Sequence, residues 1–166
     1  MTCCLLRLAN PPVGLAAGRY IPSHRERRRW GDGSFMPPPP TPNIPDLGYN
    51  QGWRVDKHPR LMADVTGDGK GDFVGFGDAG VFVAVSQGGG NFNYTPIPVL
   101  QDFCIDAGGW RVDRNPRFLA RVAAGQRADI VGFGNVSVRT SLSTGTGGFA
   151  PAQLAAPDFG WWARPW

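Results

Sequence analysis

Residues 53–92 read WRVDKHPRLMADVTGDGKGDFVGFGDAGVFVAVSQGGGNF, and the same pattern returns without a gap at residues 110–149. The two copies are identical at 18 of 40 positions, and every match lies at an offset of 57 residues. A period of this length is typical of a supersecondary unit that buries its core by stacking against neighbouring copies of itself. The repeat is therefore the first constraint on the fold.

Each copy contains short β-rich runs separated by Gly- and Asp-rich turns. The first copy has three of them, at residues 60–65, 73–77 and 81–86. A looser stretch, 94–100, predicts a fourth and outer strand, because Pro96 and Pro98 suit an edge position where a missing N–H costs no ladder bond. No window has a helical period. Four short strands per repeat predict an all-β protein made of four-stranded antiparallel β-propeller blades.

The repeat also divides the chain. Residues 1–30 match no part of it and are predicted to be an irregular N-terminal extension. Residues 31–52 are predicted to be the tail of a preceding blade, 53–109 a blade, and 110–166 a blade plus the first residue of the next. Closing a propeller takes about four to eight blades. Two blades predict exposed end faces, and hence either self-assembly into a ring of several chains or the poor solubility of a truncated gene product.

Composition narrows the possible classes of partner. The chain is 42% apolar and 11% aromatic, which argues against global disorder. Its net charge of +4 comes largely from a cluster at Arg25, Arg27, Arg28 and Arg29, outside the repeat and more typical of a solvated tail than of a nucleic-acid surface. No apolar stretch approaches the roughly 20 residues that span a bilayer. We therefore predict neither nucleic-acid binding nor membrane insertion. Residues 1–17 lack the continuous apolar core of a secretion signal, and the cellular location stays open between extracellular and cytoplasmic.

The loop between the first two runs has the spacing of a calcium loop. Its alternate positions are Asp64, Thr66, Asp68, Lys70 and Asp72. A loop that curls around Ca²⁺ offers oxygens at such positions, and the seventh, here Lys70, gives its backbone carbonyl. The predicted cofactor is therefore one Ca²⁺. The alternative is an Asp/Gly turn held by Asx-type hydrogen bonds without metal.

The second copy of this loop acts as an internal control. Where the first copy has Asp64 and Asp68, it has Arg121 and Gly125, and of the three aspartates only Asp129 remains. The positive charge of Arg121 opposes a cation, so this loop is predicted not to bind calcium. A calcium ion in the first loop would then be structural.

Two resemblances follow from these motifs. The string DVTGDGKGD at residues 64–72, followed by FVGFG at 73–77, resembles the FG-GAP/VCBS blades of integrin-type propellers. The longer string GWRVDKHPRLMADVTGDGKGDFVGFGDAGVFVAVSQGGGNF resembles the blades of the Psathyrella velutina lectin family, found mainly in fungi. The resemblance covers about residues 31–166. It implies a seven-bladed propeller that binds N-acetylglucosamine, and also sialic acid, in pockets between neighbouring blades, with calcium in some blades.

The opening of each repeat supplies residue types suited to a sugar. A shallow sugar site needs an aromatic face together with a few planar donors and acceptors. The candidates are Trp53, Arg54, His58 and Arg60 in the first copy, and Trp110, Arg111, Asn115 and Arg117 in the second. We expect the site at the contact between the two blades. The alternative is that the tryptophans are packing anchors and the arginines brace loops.

Three functions compete. The first is a carbohydrate-binding module that recognises N-acetylglucosamine- or sialic-acid-type glycans without catalysis. The second is an integrin-like structural or protein-interaction propeller without sugar binding. The third is an accessory part of a polysaccharide-degrading enzyme. The carboxylates repeat with the blade and do not converge as an acid/base pair would have to, so no catalytic activity is predicted.

Overall fold

Two antiparallel sheets make up the described fold. The computed structural model describes residues 44–162, so the predictions for residues 1–30, part of those for 31–52 and those for Trp166 lie outside the described residues. Blade A contains β1 (Arg60–Ala63), β2 (Asp72–Phe76), β3 (Val81–Gly88) and β4 (Asn91–Tyr94). Blade B contains β5 (Arg117–Ala120), β6 (Asp129–Phe133), β7 (Val138–Ser141) and β8 (Gln153–Ala156). In both sheets the strands follow chain order.

The fold class is the predicted one. Both sheets have four antiparallel strands, and the helical content of the described residues is a single 3-10 turn at Tyr49–Gln51. The chain is thus an all-β, incomplete propeller of four-stranded blades, and that prediction is confirmed. Within residues 44–162, no helix is long and apolar enough to cross a membrane.

Equivalent residues pair in both blades. Arg60 lies opposite Gly75 in the β1–β2 pair, and Arg117 lies opposite Gly132 in the β5–β6 pair. Valine and phenylalanine favour the pleated conformation, and Gly-rich turns reverse the chain between strands. The 57-residue period is therefore also a period of backbone pairing.

The outer strand of blade A is not where it was predicted. We expected residues 94–100, but β4 ends at Tyr94, and of the later stretch Leu100 forms an isolated bridge with Val81. In blade B the outer strand β8 does occupy the equivalent later stretch. The prolines explain the difference. Pro96 and Pro98 have no N–H and cannot form the ladder that β8 forms with β7.

The apolar core lies between the blades. It joins side chains of blade A with others from blade B and from the segment that leads into it: Val65, Val74, Phe76, Val81 and Val83 with Phe103, Cys104, Trp110, Ala128, Ile130 and Phe149. Two hydrogen bonds join the edges of this interface. The Ala128 N–H donates to the Asp64 carbonyl at 2.7 Å, and the Ser143 hydroxyl donates to the Val65 carbonyl. The two repeats therefore stack as adjacent blades.

The topology separates the two candidate sites. Because the strands alternate in direction, the segment leading into β1 and the β2–β3 turn meet at one end of blade A, here called the lead-in end. The loop at residues 64–71 lies at the other end, together with the β3–β4 turn. Hence the sugar and calcium predictions concern opposite ends of the same blade.

Candidate functional site

A buried tryptophan anchors the lead-in end of each blade. The indole N–H of Trp53 donates to Asp46 Oδ1 at 2.7 Å, and that of Trp110 donates to Asp102 Oδ1 at 3.0 Å. Each indole packs on a glycine of the second strand, where an added Cβ would lie 2.7 Å from the ring. Their exposed fractions are 6% and 4%. These rings therefore form the floors of their sites and leave little face open.

The aspartate that holds each tryptophan also shapes the backbone. Asp46 accepts the N–H of Leu47 at 2.7 Å, and Asp102 accepts that of Phe103 at 2.6 Å. Both following residues have positive φ, 69° and 59°, which an L-residue adopts only when its surroundings compensate. Asp158 repeats the hydrogen bond at 2.7 Å. The Asp-to-Trp stretch is thus a repeated structural device, visible in the sequence as the recurring Asp-Leu or Asp-Phe pair.

His58 and Asn115 have equivalent partners. The Arg54 backbone N–H donates to His58 Nδ1 at 3.0 Å, so the ring proton is on Nε2, which donates to Asp78 Oδ1 at 2.8 Å. In blade B, the Oδ1 of Asn115 accepts the corresponding backbone N–H at 3.1 Å. Its amide donates to Asn135 Oδ1 at 3.1 Å. One His–Asp pair in blade A thus corresponds to one Asn–Asn pair in blade B.

Each of these pairs borders an open cleft. Cleft A has a volume of about 290 Å³, and cleft B one of about 140 Å³. Cleft A is lined by Asp46, Gln51, Gly52, Trp53, His58, Gly77, Asp78, Ala79 and Phe82. Cleft B is lined by Gly108, Gly109, Trp110, Asn115, Gly134, Asn135, Val136, Ser137 and Arg139. The two sets coincide at the 57-residue offset over most of their length, so this is one site present twice.

The four predicted arginines lie outside the two linings. Arg54 lies over the Tyr49 ring at 4.0 Å and donates to the Tyr49 carbonyl at 2.8 Å. Exposed Arg111 donates to Asp113 at 3.1 Å. The structure brings together Trp53 with His58, and Trp110 with Asn115, and gives the arginines other partners.

The other two arginines connect the lead-in to the blade. Arg60 donates to the Leu47 carbonyl and Arg117 to the Phe103 carbonyl, both at 2.8 Å. The Arg117 guanidinium also lies 5.5 Å from the centre of the Phe76 ring, across the interface between the blades. These contacts fix the positive-φ residues in place.

Several cleft positions were not among the sequence candidates, and three of them distinguish the site chemically. In cleft A they are Asp46, Asp78 and Phe82. In cleft B, Asn135 takes the place of Asp78, and Arg139 takes that of Phe82. The sequence held a signal for one of them. The change from His58 to Asn115 is accompanied, 20 residues later in both copies, by the change from Asp78 to Asn135.

Electrostatics keep Asp46 ionised. Partial burial by itself opposes ionisation, but hydrogen bonds from Tyr94, from the Leu47 N–H and from Trp53 hold the pKa of Asp46 below its usual value. The Tyr94 hydroxyl donates to the second carboxylate oxygen. In cleft B, the corresponding neighbour of Asp102 is the Arg139 guanidinium, 3.6 Å away.

The carboxylates of the loop at residues 64–72 bond to its own backbone. Asp64 accepts the N–H groups of Gly67, Asp68 and Gly69 at 2.6, 3.2 and 2.8 Å. Asp68 is paired with the Lys70 ammonium. Across residues 44–162, no group of three or more His, Cys, Asp or Glu side chains is arranged to hold a metal. In this arrangement the loop carboxylates are engaged by backbone N–H groups and by Lys70, and calcium binding stays a prediction.

Asp72 has a structural role that its counterpart shares. Its carboxylate accepts the N–H groups of Val65, Thr66 and Ser86 at 3.0, 3.2 and 2.8 Å. Asp129 accepts the three equivalent N–H groups, of Val122, Ala123 and Ser143, at 3.2, 3.1 and 2.8 Å. A loop predicted to lack calcium therefore uses the same aspartate in the same way.

Comparison with known proteins relates the chain to a solved lectin structure. No family model matches the chain, and no curated protein matches it either. A solved structure is similar, with 48% identity and a TM-score of 0.68. It is a lectin from Agrocybe aegerita, described for its specific recognition of non-reducing terminal N-acetylglucosamine. The match covers 73% of this chain and 30% of that lectin, so the chain spans about a third of the lectin's length.

Proposed function

We propose that this chain binds glycans that end in N-acetylglucosamine, using clefts A and B. The observation that carries the proposal is the repeated cleft itself. In each blade a held tryptophan, an oriented His or Asn and a polar turn residue surround an open volume at the same place. The similarity to a lectin that recognises terminal N-acetylglucosamine supports the choice of sugar.

The chemistry of the clefts suits a single sugar unit. In cleft A, half-buried Phe82 offers an apolar surface, and more than half of the Asp78 side chain is exposed to accept hydroxyl hydrogens. In cleft B, Asn135 and Ser137 offer both donors and acceptors. His58 and Asn115 hold these turn residues in place. The sites are shallow and bury little area, so we expect millimolar affinity per cleft.

The finer features are part of the same proposal. The blades are of the FG-GAP/VCBS type, sialic-acid-type glycans are a second class of ligand, and binding involves no catalysis. In this proposal calcium has a structural role at the opposite end of blade A. The competing function is an integrin-like interaction propeller without a sugar site.

A titration followed by two-dimensional NMR tests the proposal. We expect N-acetylglucosamine to shift the indole N–H signals of Trp53 and Trp110, each reporting on its own cleft. Asp78→Ala should abolish the response of Trp53 alone, and Asn135→Ala that of Trp110 alone. The exposed loop variant Asp68→Ala, at the other end of blade A, should change neither. No shift of either indole at tens of millimolar sugar would contradict sugar binding and favour the interaction propeller.

A further inference from the structure

The two clefts differ in charge although they occupy the same place in the repeat. The lining of cleft A contains two carboxylates, Asp46 and Asp78, and neither lysine nor arginine. The lining of cleft B contains the Arg139 guanidinium and no carboxylate. Position 82 is Phe in blade A where blade B has Arg139, and position 78 is Asp where blade B has Asn135. Beneath cleft B, Asp102 occupies the place of Asp46 and lies 3.6 Å from the Arg139 guanidinium, so these two charges balance. Two substitutions thus change the site from negative in blade A to nearly neutral in blade B.

The histidine of cleft A does not cancel this negative charge. His58 Nδ1 accepts the Arg54 N–H, which requires a lone pair on that nitrogen. Its single proton is therefore on Nε2 and points at Asp78. The imidazole is neutral in this arrangement. The Arg54 guanidinium does not cancel the charge either, because it lies over the Tyr49 ring and outside the lining.

Asp78 has bonding capacity left for a ligand. Its Oδ1 accepts the His58 proton, and no residue in the described part of the chain is placed to bond its Oδ2. The side chain is 56% exposed at the mouth of the cleft. Asp46 is committed to Trp53, Tyr94 and the Leu47 N–H, and contributes its charge from the floor. The free acceptor thus lies at the rim, with a second negative charge beneath it.

We propose that cleft A prefers a glycan unit bearing a protonated primary amine, of the glucosamine type, and that cleft B prefers the N-acetylated unit. This inference rests on the proposed function and assigns a sugar class to each cleft. An ammonium group would donate to Asp78 in a charge-assisted hydrogen bond, which is stronger than the neutral bond available to an acetamide. In cleft B the neutral Asn135 stands in place of Asp78, and the Asp102 carboxylate is already paired with Arg139, so the ammonium finds no free carboxylate.

The test uses two chito-disaccharides that differ only in their acetyl groups, one fully N-acetylated and one fully deacetylated. Both are titrated into the full chain at neutral pH, with the Trp53 and Trp110 indole signals as separate reporters. We expect the deacetylated sugar to bind cleft A about fivefold more tightly than cleft B, the scale of one exposed ion pair. Raising the salt concentration should reduce this preference and leave binding of the acetylated sugar unchanged.

Reciprocal variants give the matched control. Asp78→Asn keeps an acceptor for His58 and removes the charge, so cleft A should lose its preference for the deacetylated sugar and still respond to the acetylated one. Asn135→Asp should strengthen the binding of the deacetylated sugar to cleft B. The inference is overturned if the wild-type clefts respond alike to both sugars, or if Asp78→Asn leaves the preference intact. If neither sugar shifts either indole, the proposed function itself fails.

Discussion

Blades A and B have the same residues at key positions, but these residues differ in burial. Val74 and Phe76 are fully buried, because they face blade B. Their counterparts Val131 and Phe133 are only half-buried. On the other face of each sheet the difference in burial is reversed. Ile130 of blade B is fully buried there, and its counterpart Phe73 of blade A is only half-buried. Position in the array, and not residue identity, therefore sets how much each side chain stabilises the protein.

The outer faces of the two blades also carry large apolar side chains, as the interface does. Blade B exposes Phe118 by 50% and Leu142 by 38%, and blade A exposes Met62 by 56%. The segment after β8 already lies on blade B, where the Trp162 N–H donates to the Asn135 carbonyl at 2.6 Å. This bond repeats the one from the Asp106 N–H to the Asp78 carbonyl at 2.9 Å. A second copy of the chain that docked on this side of blade B would have to pack beside this segment or displace it. Self-assembly therefore stays a prediction.

The largest expected difference between the blades is at the phenylalanine pair. Phe76→Ala should lower the free energy of unfolding by about 3–5 kcal/mol, because it leaves a cavity in the interface and removes the ring beneath Arg117. Phe133→Ala should cost less than half as much, since that ring is half-buried and packs edge-on against the half-exposed Phe118 ring. Urea denaturation of both variants measures the difference. Equal losses of unfolding free energy would mean that Phe133, on the outer face of blade B, is buried in solution as fully as Phe76 is in the interface.

The aspartate pair should show the opposite result, equal effects in both blades. Asp72→Ala and Asp129→Ala each leave three backbone N–H groups without their acceptor. Two are at the start of a loop, and the third is that of Ser86 on β3 or of Ser143, two residues after β7. We expect each substitution to cost about 2–3 kcal/mol. Asp68→Ala, an exposed change in the same loop, should cost less than about 0.5 kcal/mol. A loss of stability confined to Asp72→Ala would indicate that the Asp72 carboxylate has a binding partner that Asp129 of blade B lacks.

Much of the fold could be predicted from the period alone. The 57-residue offset, the strand-forming runs and the Gly-rich turns agree with one another, so local preference and repeat length both indicate four-stranded blades. The outer strand of blade A was misplaced because Pro96 and Pro98 were interpreted as edge-strand residues. In blade A they interrupt the pairing that the second copy makes at the equivalent stretch.

The candidate site was harder to predict from the sequence than the fold was. Trp53 and His58 were chosen for their chemistry, but the structure buries both, with exposed fractions of 6% and 4%, and leaves Asp78 at the cleft. The residue types alone could not show which side of each ring is covered, because that depends on Gly75 and on the aspartate that holds Trp53. Comparing the copies at the 57-residue offset would have paired His58 with Asp78 through their joint replacement by asparagines.

The smallest expected effect concerns the loops at residues 64–72 and 121–129, which differ in charge and share one aspartate. For Ca²⁺ to bind the first loop, Asp68 must release Lys70, and Asp64 must offer the ion a lone pair although it already accepts three N–H groups. The gain is therefore offset by lost hydrogen bonds, and we expect millimolar Ca²⁺ to raise the Tm by only a few degrees, about 1 kcal/mol. Asp64→Ala should abolish the rise. Arg121→Ala, the equivalent change in the second loop, should preserve it. If the melting curve of the unaltered protein does not move with Ca²⁺, the carboxylates of the first loop serve its backbone alone, and the two loops differ in sequence but not in function.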